Sequence, residues 1–142
     1  MNIQDTERLK GLLAAQGYQL TKARIETFKL LIDHEPQTMA KILAKASGKV
    51  DRVTVYRNID VFEKIGVVKR IYIGWKYKLE LSDQFLSHHH HLSCLKCGKI
   101  VDIHDSSLIN DFISSVSEKF SFHIQSHQLE MEGYCEECRA TV

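Results

Sequence analysis

The chain has 142 residues, of which 44% are hydrophobic, and its 19 basic and 18 acidic residues give a formal net charge of +1. This length can bury the core of one domain or of two small domains. Because no apolar run approaches the roughly 18 residues that span a bilayer and no signal-peptide pattern opens the sequence, we expect a soluble, cytoplasmic protein that does not bind membranes.

The charge is unevenly distributed along the chain. Residues 1–83 carry fifteen Lys and Arg against ten Asp and Glu, whereas residues 84–142 carry four against eight. Seven of the eight histidines and all four cysteines also lie in the second part. The pattern predicts a basic module joined to an acidic module that is rich in metal-ligating residues.

Four short amphipathic helices are predicted in the first part. Their predicted starts or N-caps are Asp5, Thr21, Thr38 and Asp51. After Gly66 the apolar period changes to alternation, which predicts a β-hairpin with its turn at Gly74. Glu80 lies on the polar face of the second strand. The opposite, apolar face of that strand is formed by Trp75, Tyr77, Leu79 and Leu81.

Helices followed by a hairpin in this order are typical of a winged helix-turn-helix, in which a recognition helix enters the major groove of DNA. The fourth helix is the predicted recognition helix. Its residues outside the apolar face can contact phosphates and base edges, and the candidates are Arg52, Thr54, Tyr56 and Arg57. The alternative for this face is an ordinary solvated helix surface.

The stretch SDQFLS, residues 82–87, is the predicted hinge, so the expected domains are residues 1–83 and 84–142. The second domain should contain a strand with the first cysteine pair, the strand KIVDI, a helix from about Ser106 to Phe120, the strand SHQLEME and the second cysteine pair. The expected fold class is α+β, with an N-terminal winged helix-turn-helix and a C-terminal α/β domain.

The four cysteines form two Cys-x-x-Cys pairs, Cys94/Cys97 and Cys135/Cys138. In a reducing cytosol this pattern favours zinc over disulfides. Four thiolates complete a tetrahedron around Zn²⁺ and leave no open position, so we expect a structural zinc site. The alternatives are a redox-active Cys-x-x-Cys motif and buried free thiols.

Four consecutive histidines occupy residues 88–91. In a strand, His89 and His91 face one side and His88 and His90 the other, so one short segment can contribute to two metal sites. Asp102, inside the apolar stretch KIVDI, needs a cation or hydrogen-bond donors because burial of a lone carboxylate is costly. The alternatives are a solvated polyhistidine loop and an affinity tag, although tags normally lie at a terminus.

Four segments match a known family: GYQLTKAR (17–24), TVYRNIDVFEKIGVV (54–68), HHHHLSCLKCGKI (88–100) and GYCEEC (133–138). With these segments the chain resembles the ferric uptake regulator (Fur) family of bacterial metal-responsive repressors over nearly its whole length. The resemblance implies a homodimer formed by the C-terminal domains, which presents two winged helices to a palindromic double-stranded DNA operator.

The resemblance also implies roles for individual residues. Tyr56 and Arg57 match DNA-contacting positions, Arg24 in the first segment is a further DNA-binding candidate, and the four cysteines match a structural zinc site. The implied regulatory metal site lies between the domains, with the ligands Glu80, His89, His91 and Asp102. A second metal site is implied for His88, His90 and His127.

Two positions depart from the family pattern. Pro36 stands where the family often has a histidine, so His34, two residues earlier, is the candidate ligand there. Ile109 stands where an acidic ligand of the second site is expected.

These implications predict a metal-dependent repressor, neither an enzyme nor a protein with a small-molecule substrate. Nitrogen and carboxylate ligands suit Fe²⁺, Mn²⁺ or Zn²⁺. The absence of a thiolate near Glu80 favours iron sensing, which ranks first. Peroxide sensing ranks second, because an aspartate at position 102 is similar to the peroxide-sensing branch of the family. Zinc sensing ranks third. The rival classes are a zinc-dependent enzyme with a metal-bound water and a redox or metal-storage protein.

Overall fold

The computed structural model describes residues 1–104 and 106–142 and confirms the predicted α+β class. The chain divides into two compact units, Met1–Leu86 and Ser87–Val142. Among the described residues, none of the helices has both the length and the apolar character that crossing a membrane requires.

The first unit consists of helices followed by a hairpin. Its elements are α1 (Ile3–Ala15), α2 (Lys22–Leu31), α3 (Met39–Ala46), α4 (Arg52–Lys64), β1 (Val68–Ile73) and β2 (Lys76–Leu81).

Side-chain caps determine where these helices begin. Thr21, Thr38 and Asp51 each accept a hydrogen bond from the backbone N–H three residues later, at 3.2, 3.2 and 3.0 Å, as predicted. The first helix begins earlier than predicted. Asn2 caps it by accepting from the Asp5 N–H at 2.7 Å, and the Asp5 carboxylate accepts from the Asn2 N–H at 3.2 Å. This reciprocal pair is a capping box.

The core of the first unit is built around Phe28 of α2. Its ring makes edge contacts with Phe62 of α4 and with Phe85, at centroid distances of 6.4 and 4.9 Å. A buried polar pair also joins α2 to α4, because the Asn58 side-chain amide donates to the Thr27 hydroxyl at 2.9 Å. These contacts turn the apolar face of α4 inward and leave its opposite face exposed.

Gln37 links the segment between α2 and α3 to the hairpin. Its backbone exchanges two hydrogen bonds with Leu79 of β2, at 2.9 and 2.7 Å. Its buried side chain donates to the Leu30 carbonyl at 3.0 Å and accepts from the Lys45 ammonium at 2.6 Å. The backbone N–H and C=O of this buried residue and both ends of its side-chain amide are therefore hydrogen-bonded.

The antiparallel hairpin runs in register from Val68↔Leu81 at its base to Ile73↔Lys76 at its tip. Gly74, with φ +60°, and Trp75 form the turn. The predicted apolar face of β2 is buried at Leu79 and Leu81, but Trp75, which was assigned to the same face, is 88% exposed. The turn residues Gly74 and Trp75 are exposed, whereas Ile73, just before the turn, is still buried.

The second unit contains a three-stranded sheet of order β4-β3-β5 and two helices. Its elements are β3 (His90–Cys94), β4 (Ile100–Ile103), α5 (Ser107–Lys119), β5 (Glu130–Gly133) and α6 (Glu136–Arg139). β5 begins four residues later than the predicted strand SHQLEME. The central strand β3 is antiparallel to β4 and parallel to β5, which places Asp102 and Glu130 on either side of His91.

Candidate metal centres and nucleic-acid interface

The four cysteines converge on one point of the second unit. Cys94 ends β3, Cys97 lies in the following turn, Cys135 is the N-cap of α6, and Cys138 lies within α6. Their sulfur atoms all lie within 4.8 Å of one another. Gly98, at φ +73°, closes the turn after Cys97 with an N–H that donates to the Cys94 carbonyl at 2.9 Å. Four sulfur ligands at this spacing fit a tetrahedral Zn²⁺.

Neighbouring groups shift the pKa values of two of these thiols in opposite directions. Backbone N–H groups of Cys97 and Cys135 lower the pKa of Cys94 to about 6 because they stabilise its thiolate. The hydrogen bond with Cys135, together with burial, raises the pKa of Cys138 to about 12. Cys138 would have to lose its proton in order to hold Zn²⁺ at neutral pH.

A second cluster consists of three histidines of the same unit. The Nε2 atoms of His88 and His127 are 3.0 Å apart, and the His90 ring centroid lies 4.8 Å from that of His88 and 5.1 Å from that of His127. Burial and the neighbouring imidazoles lower the pKa of His90, which favours the neutral, metal-binding ring. The structure thus brings together the three residues assigned to the second metal site.

The other two histidines of the run form a separate pair, as the alternation predicted, although β3 itself begins only at His90. The ring centroids of His89 and His91 lie 4.7 Å apart, and both side chains are buried. Nδ1 of His91 lies 3.0 and 3.1 Å from the two carboxylate oxygens of Glu130. Nδ1 of His89 lies 2.7 Å from the Ser87 carbonyl.

These contacts determine which ring nitrogen of each histidine can bind a metal. A carboxylate and a carbonyl only accept hydrogen bonds, so the proton resides on Nδ1 in both rings. Nε2 is therefore the ring nitrogen that carries the lone pair in each ring, and Nε2 of His91 lies 3.6 Å from Oδ1 of Asp102. Two neutral imidazoles and a carboxylate suit Fe²⁺, Mn²⁺ or Zn²⁺.

Glu130 is a candidate site residue that the sequence did not reveal. It holds the tautomer of His91, which is the usual role of a carboxylate behind a metal-binding histidine. No local motif could reveal it, because it lies 39 residues from its partner and reaches it only through the parallel pairing of β3 and β5. His104, whose ring centroid lies 5.3 Å from that of His89, is another neighbour of the pair.

The remaining predicted metal ligands belong to the first unit. Glu80 lies in β2, and its side chain is 6% exposed, although the alternation predicted a polar strand face. The Lys69 ammonium lies 3.5 Å from Oε2 of Glu80 and 3.0 Å from Oδ1 of Asp83. His34 follows α2 and is exposed, and its backbone N–H donates to the Asp33 carboxylate at 2.7 Å.

The predicted DNA-binding residues lie mainly on the exposed face of α4. Arg52 packs against the Tyr56 ring at 5.8 Å, and Tyr56 and Arg57 are exposed. Thr54 is less accessible, since its hydroxyl donates to the Asp51 carboxylate at 2.6 Å. Arg24 of α2 packs against the Tyr18 ring at 5.3 Å. The exposed Arg–Tyr–Arg group is suited to phosphates and base edges.

The chain is similar to known proteins over most of its length. The model of the ferric uptake regulator family matches residues 15–132. A ferric uptake regulation protein of Bacillus subtilis is 27% identical over 93% of both chains. The peroxide-responsive repressor PerR of Staphylococcus epidermidis is 32% identical over 89% of this chain and 85% of that protein. The solved structure of the Helicobacter pylori ferric uptake regulator has the same fold, with a TM-score of 0.79, 23% identity, and coverage of 98% of this chain and 95% of that one.

Proposed function

The chain belongs to the ferric uptake regulator family, and from that premise we propose that it is a cytoplasmic, metal-dependent DNA-binding repressor that senses Fe²⁺ and controls metal-homeostasis genes. The observation that carries the proposal is the buried pair His89 and His91. Both rings keep Nδ1 hydrogen-bonded, which leaves Nε2 as the metal-binding atom, and Nε2 of His91 lies beside Asp102. Such preorganised imidazoles suit a metal ion that binds and dissociates.

Cys94, Cys97, Cys135 and Cys138 would hold a structural Zn²⁺. Their four sulfur atoms leave no position for water or substrate, so this ion would connect the turn after β3 to α6 without taking part in sensing. The close approach of Cys97 and Cys135, whose sulfur atoms are 3.8 Å apart, supports this role.

The regulatory metal would be held by Glu80, His89, His91 and Asp102, with His34 as a further candidate. Glu80 belongs to the first unit and the two histidines to the second. When bound, the metal supplies a coordination centre that both units share. Full ligation then requires one relative orientation of the units, so metal affinity and DNA affinity are linked reciprocally, typically by ~1–3 kcal/mol.

Operator DNA and a second copy of the chain are the proposed partners. Arg24, Arg52, Thr54, Tyr56 and Arg57 would contact a palindromic duplex, with α4 in the major groove. Dimerisation would occur through the second unit, whose exposed apolar side chains form a surface that a partner can cover. These side chains include Leu92, Val101, Leu108, Phe112 and Met131.

Iron is the first choice for the regulatory metal because the ligands are nitrogen and oxygen atoms, with no thiolate among them. Peroxide sensing is the second candidate function. It is supported by Asp102 beside His91 and by the 32% identity to a peroxide-responsive repressor. Zinc sensing ranks third.

His88, His90 and His127 would form a second metal site that lacks a carboxylate ligand, since Ile109 takes the expected acidic position.

Metal-dependent DNA binding tests this proposal. The zinc-loaded protein is titrated anaerobically with Fe²⁺, Mn²⁺ or Zn²⁺, and its affinity is measured for a duplex selected from a randomised pool. We expect Fe²⁺ to raise the affinity roughly tenfold to a hundredfold, and Glu80→Ala and His91→Ala to remove that gain. If both variants respond like the parent, the regulatory site is assigned wrongly. A zinc-dependent enzyme would show no metal-dependent, sequence-selective binding.

Aerobic treatment separates the first two candidate functions. A peroxide sensor loaded with Fe²⁺ should lose DNA binding irreversibly after addition of hydrogen peroxide, and mass spectrometry should find an added oxygen atom on His89 or His91. An iron sensor should recover full binding when fresh Fe²⁺ is supplied under anaerobic conditions.

A further inference from the structure

The tip of the hairpin carries an aromatic side chain that no part of the first unit covers. Trp75 is the chain's one tryptophan, and 88% of its surface is exposed. It lies at the turn, six residue pairs from the buried base at Val68↔Leu81. Neither the core of the first unit nor the proposed regulatory site uses it. A large exposed aromatic side chain at a projecting tip indicates a contact with another molecule.

The surroundings of Trp75 are positively charged. The hairpin contains Lys69, Arg70, Lys76 and Lys78, and residues 67–79 include no Asp or Glu. Lys69 and Arg70, nearer the base, form ion pairs with Asp83 and Glu63 inside the unit. At the tip, the Lys76 ammonium instead lies over the Trp75 ring, 5.1 Å from its centroid. Lys76 therefore places a positive charge directly beside the exposed ring.

This combination favours a polyanion with flat apolar faces as the partner. An apolar protein groove would have to desolvate Lys76, whereas a nucleic acid offers phosphates to the ammonium and sugar or base surfaces to the ring. The same unit already exposes Arg52, Tyr56 and Arg57 on α4. In duplex DNA, aromatic and apolar side chains beside cations commonly pack into the minor groove.

We propose that Trp75 is a DNA-contacting residue: its ring packs against the minor-groove edge of duplex DNA next to the site read by α4, while Lys76 pairs with a phosphate. This inference rests on the proposed function, because it requires the protein to bind DNA. It adds a contact outside the recognition helix, and it assigns a role to the hairpin tip.

The fluorescence of Trp75 gives a direct test, since no other tryptophan contributes to the signal. The zinc-loaded, Fe²⁺-treated protein is titrated with a duplex selected from a randomised pool by the unaltered protein. We expect quenching that saturates in step with complex formation, measured separately by fluorescence anisotropy of labelled DNA. Vesicles containing anionic phospholipid serve as the second probe and should leave the emission unchanged.

Variants test whether the contact contributes to affinity. Trp75→Ala should weaken DNA binding about tenfold, and Trp75→Phe, which keeps an aromatic ring, should weaken it less. Lys76→Gln should reduce the salt dependence of binding by roughly one phosphate contact. Ile3→Ala is the matched control, because Ile3 is 84% exposed in the same unit but belongs to α1 and not to the hairpin. Its affinity should equal that of the parent.

The outcomes separate the inference from the function. If the parent binds DNA in response to metal but Trp75→Ala binds equally well and the emission does not change, the inference is overturned and the function stands. Emission that responds to vesicles and not to DNA overturns it in favour of a membrane contact. If the parent shows no metal-dependent DNA binding, the proposed function fails and the inference fails with it. Unfolding curves and zinc content that match the parent show that the variants are folded.

Discussion

Single hydrogen bonds determine the chemistry of the histidine run. The parallel register of β3 and β5 places Glu130 behind His91, and the Ser87 carbonyl, two residues before His89, contacts Nδ1 of His89. Each acceptor holds a proton on Nδ1, so both rings present Nε2. Without these acceptors the rings could rotate and exchange tautomers. Only a fraction of the molecules would then have both rings in the metal-binding form, and the apparent metal affinity would fall by that fraction.

The first prediction concerns Glu130. Replacing Glu130 by Gln removes the carboxylate that orients His91, so the affinity for Fe²⁺ or Mn²⁺ should fall by about tenfold to a hundredfold. Isothermal titration of the zinc-loaded protein measures the loss, and ¹⁵N NMR of the imidazoles reports the tautomer independently. Glu132→Gln is the matched control, since it makes the same charge change two residues along β5. Equal affinities for the two variants would contradict the role of Glu130.

At the scale of elements, an ion-pair cluster fixes α3 against the end of α2. The Asp33 carboxylate lies 2.6 Å from the Lys45 ammonium and 3.0 Å from that of Lys41. Lys45 also donates to the buried Gln37 side chain, which pairs with β2. One carboxylate thus connects two helices and the hairpin, the three elements that set the direction of α4.

The second prediction concerns the pH dependence of this cluster. Hydrogen bonds from Lys45 and Lys41 lower the pKa of Asp33 below its ordinary value of 3.8. A lowered pKa means that the carboxylate stabilises the fold above pH 3.8 and that this contribution is lost as the pH falls toward the folded-state pKa. Asp33→Asn should therefore destabilise the first unit by about 1 kcal/mol at pH 7.

Urea unfolding at several pH values measures this effect. The difference between parent and Asp33→Asn should stay constant from pH 7 to about pH 5 and shrink below the ordinary pKa of 3.8. Glu26→Gln is a comparison on the exposed surface of α2, where Glu26 pairs with Lys29. A difference for Asp33→Asn that grows on acidification would contradict the ion-pair explanation.

At the scale of the whole molecule, the two units are stabilised by different means. The hydrophobic cluster of buried residues lies entirely in the first unit, from Leu9 to Leu81. Among the described residues of the second unit, the buried side chains are His89, His90, His91, Ser93 and Cys94, and α5 buries none of its residues. We expect a unit with so little buried apolar surface to require metal ligation and burial of its exposed face for stability.

The third prediction follows from this contrast. Removal of zinc by a chelator, or the change Cys138→Ser, should unfold residues 87–142 and leave residues 1–86 folded. Hydrogen exchange resolved by residue measures both units in one sample, and protection should persist in Phe28 and Phe62 while it is lost in β3. Loss of protection in both units together, or in neither, would contradict the separate roles of core and metal.

Much of the candidate site was readable from the sequence because its signals are local. Thr21, Thr38 and Asp51 cap helices through bonds to residues three positions away, and alternation along one strand separated His89 and His91 from His88 and His90. The two-residue spacing within each cysteine pair indicated a metal site directly. In each case the interacting atoms are close along the chain, so geometry follows from residue order.

The features that were missed depend on contacts between distant segments. Glu130 meets His91 through a parallel strand pairing, Glu80 is buried although its strand position is polar, and Trp75 is exposed although it is apolar. Whether a residue is buried depends on which other segments pack against it, and this is fixed only when the chain folds. The sequence by itself determined the ligand types, the helix caps and the order of elements, because these rest on short-range bonding. Only the tertiary structure decided which nitrogen of His91 is available and which aromatic ring remains uncovered, because both depend on groups that folding brings together.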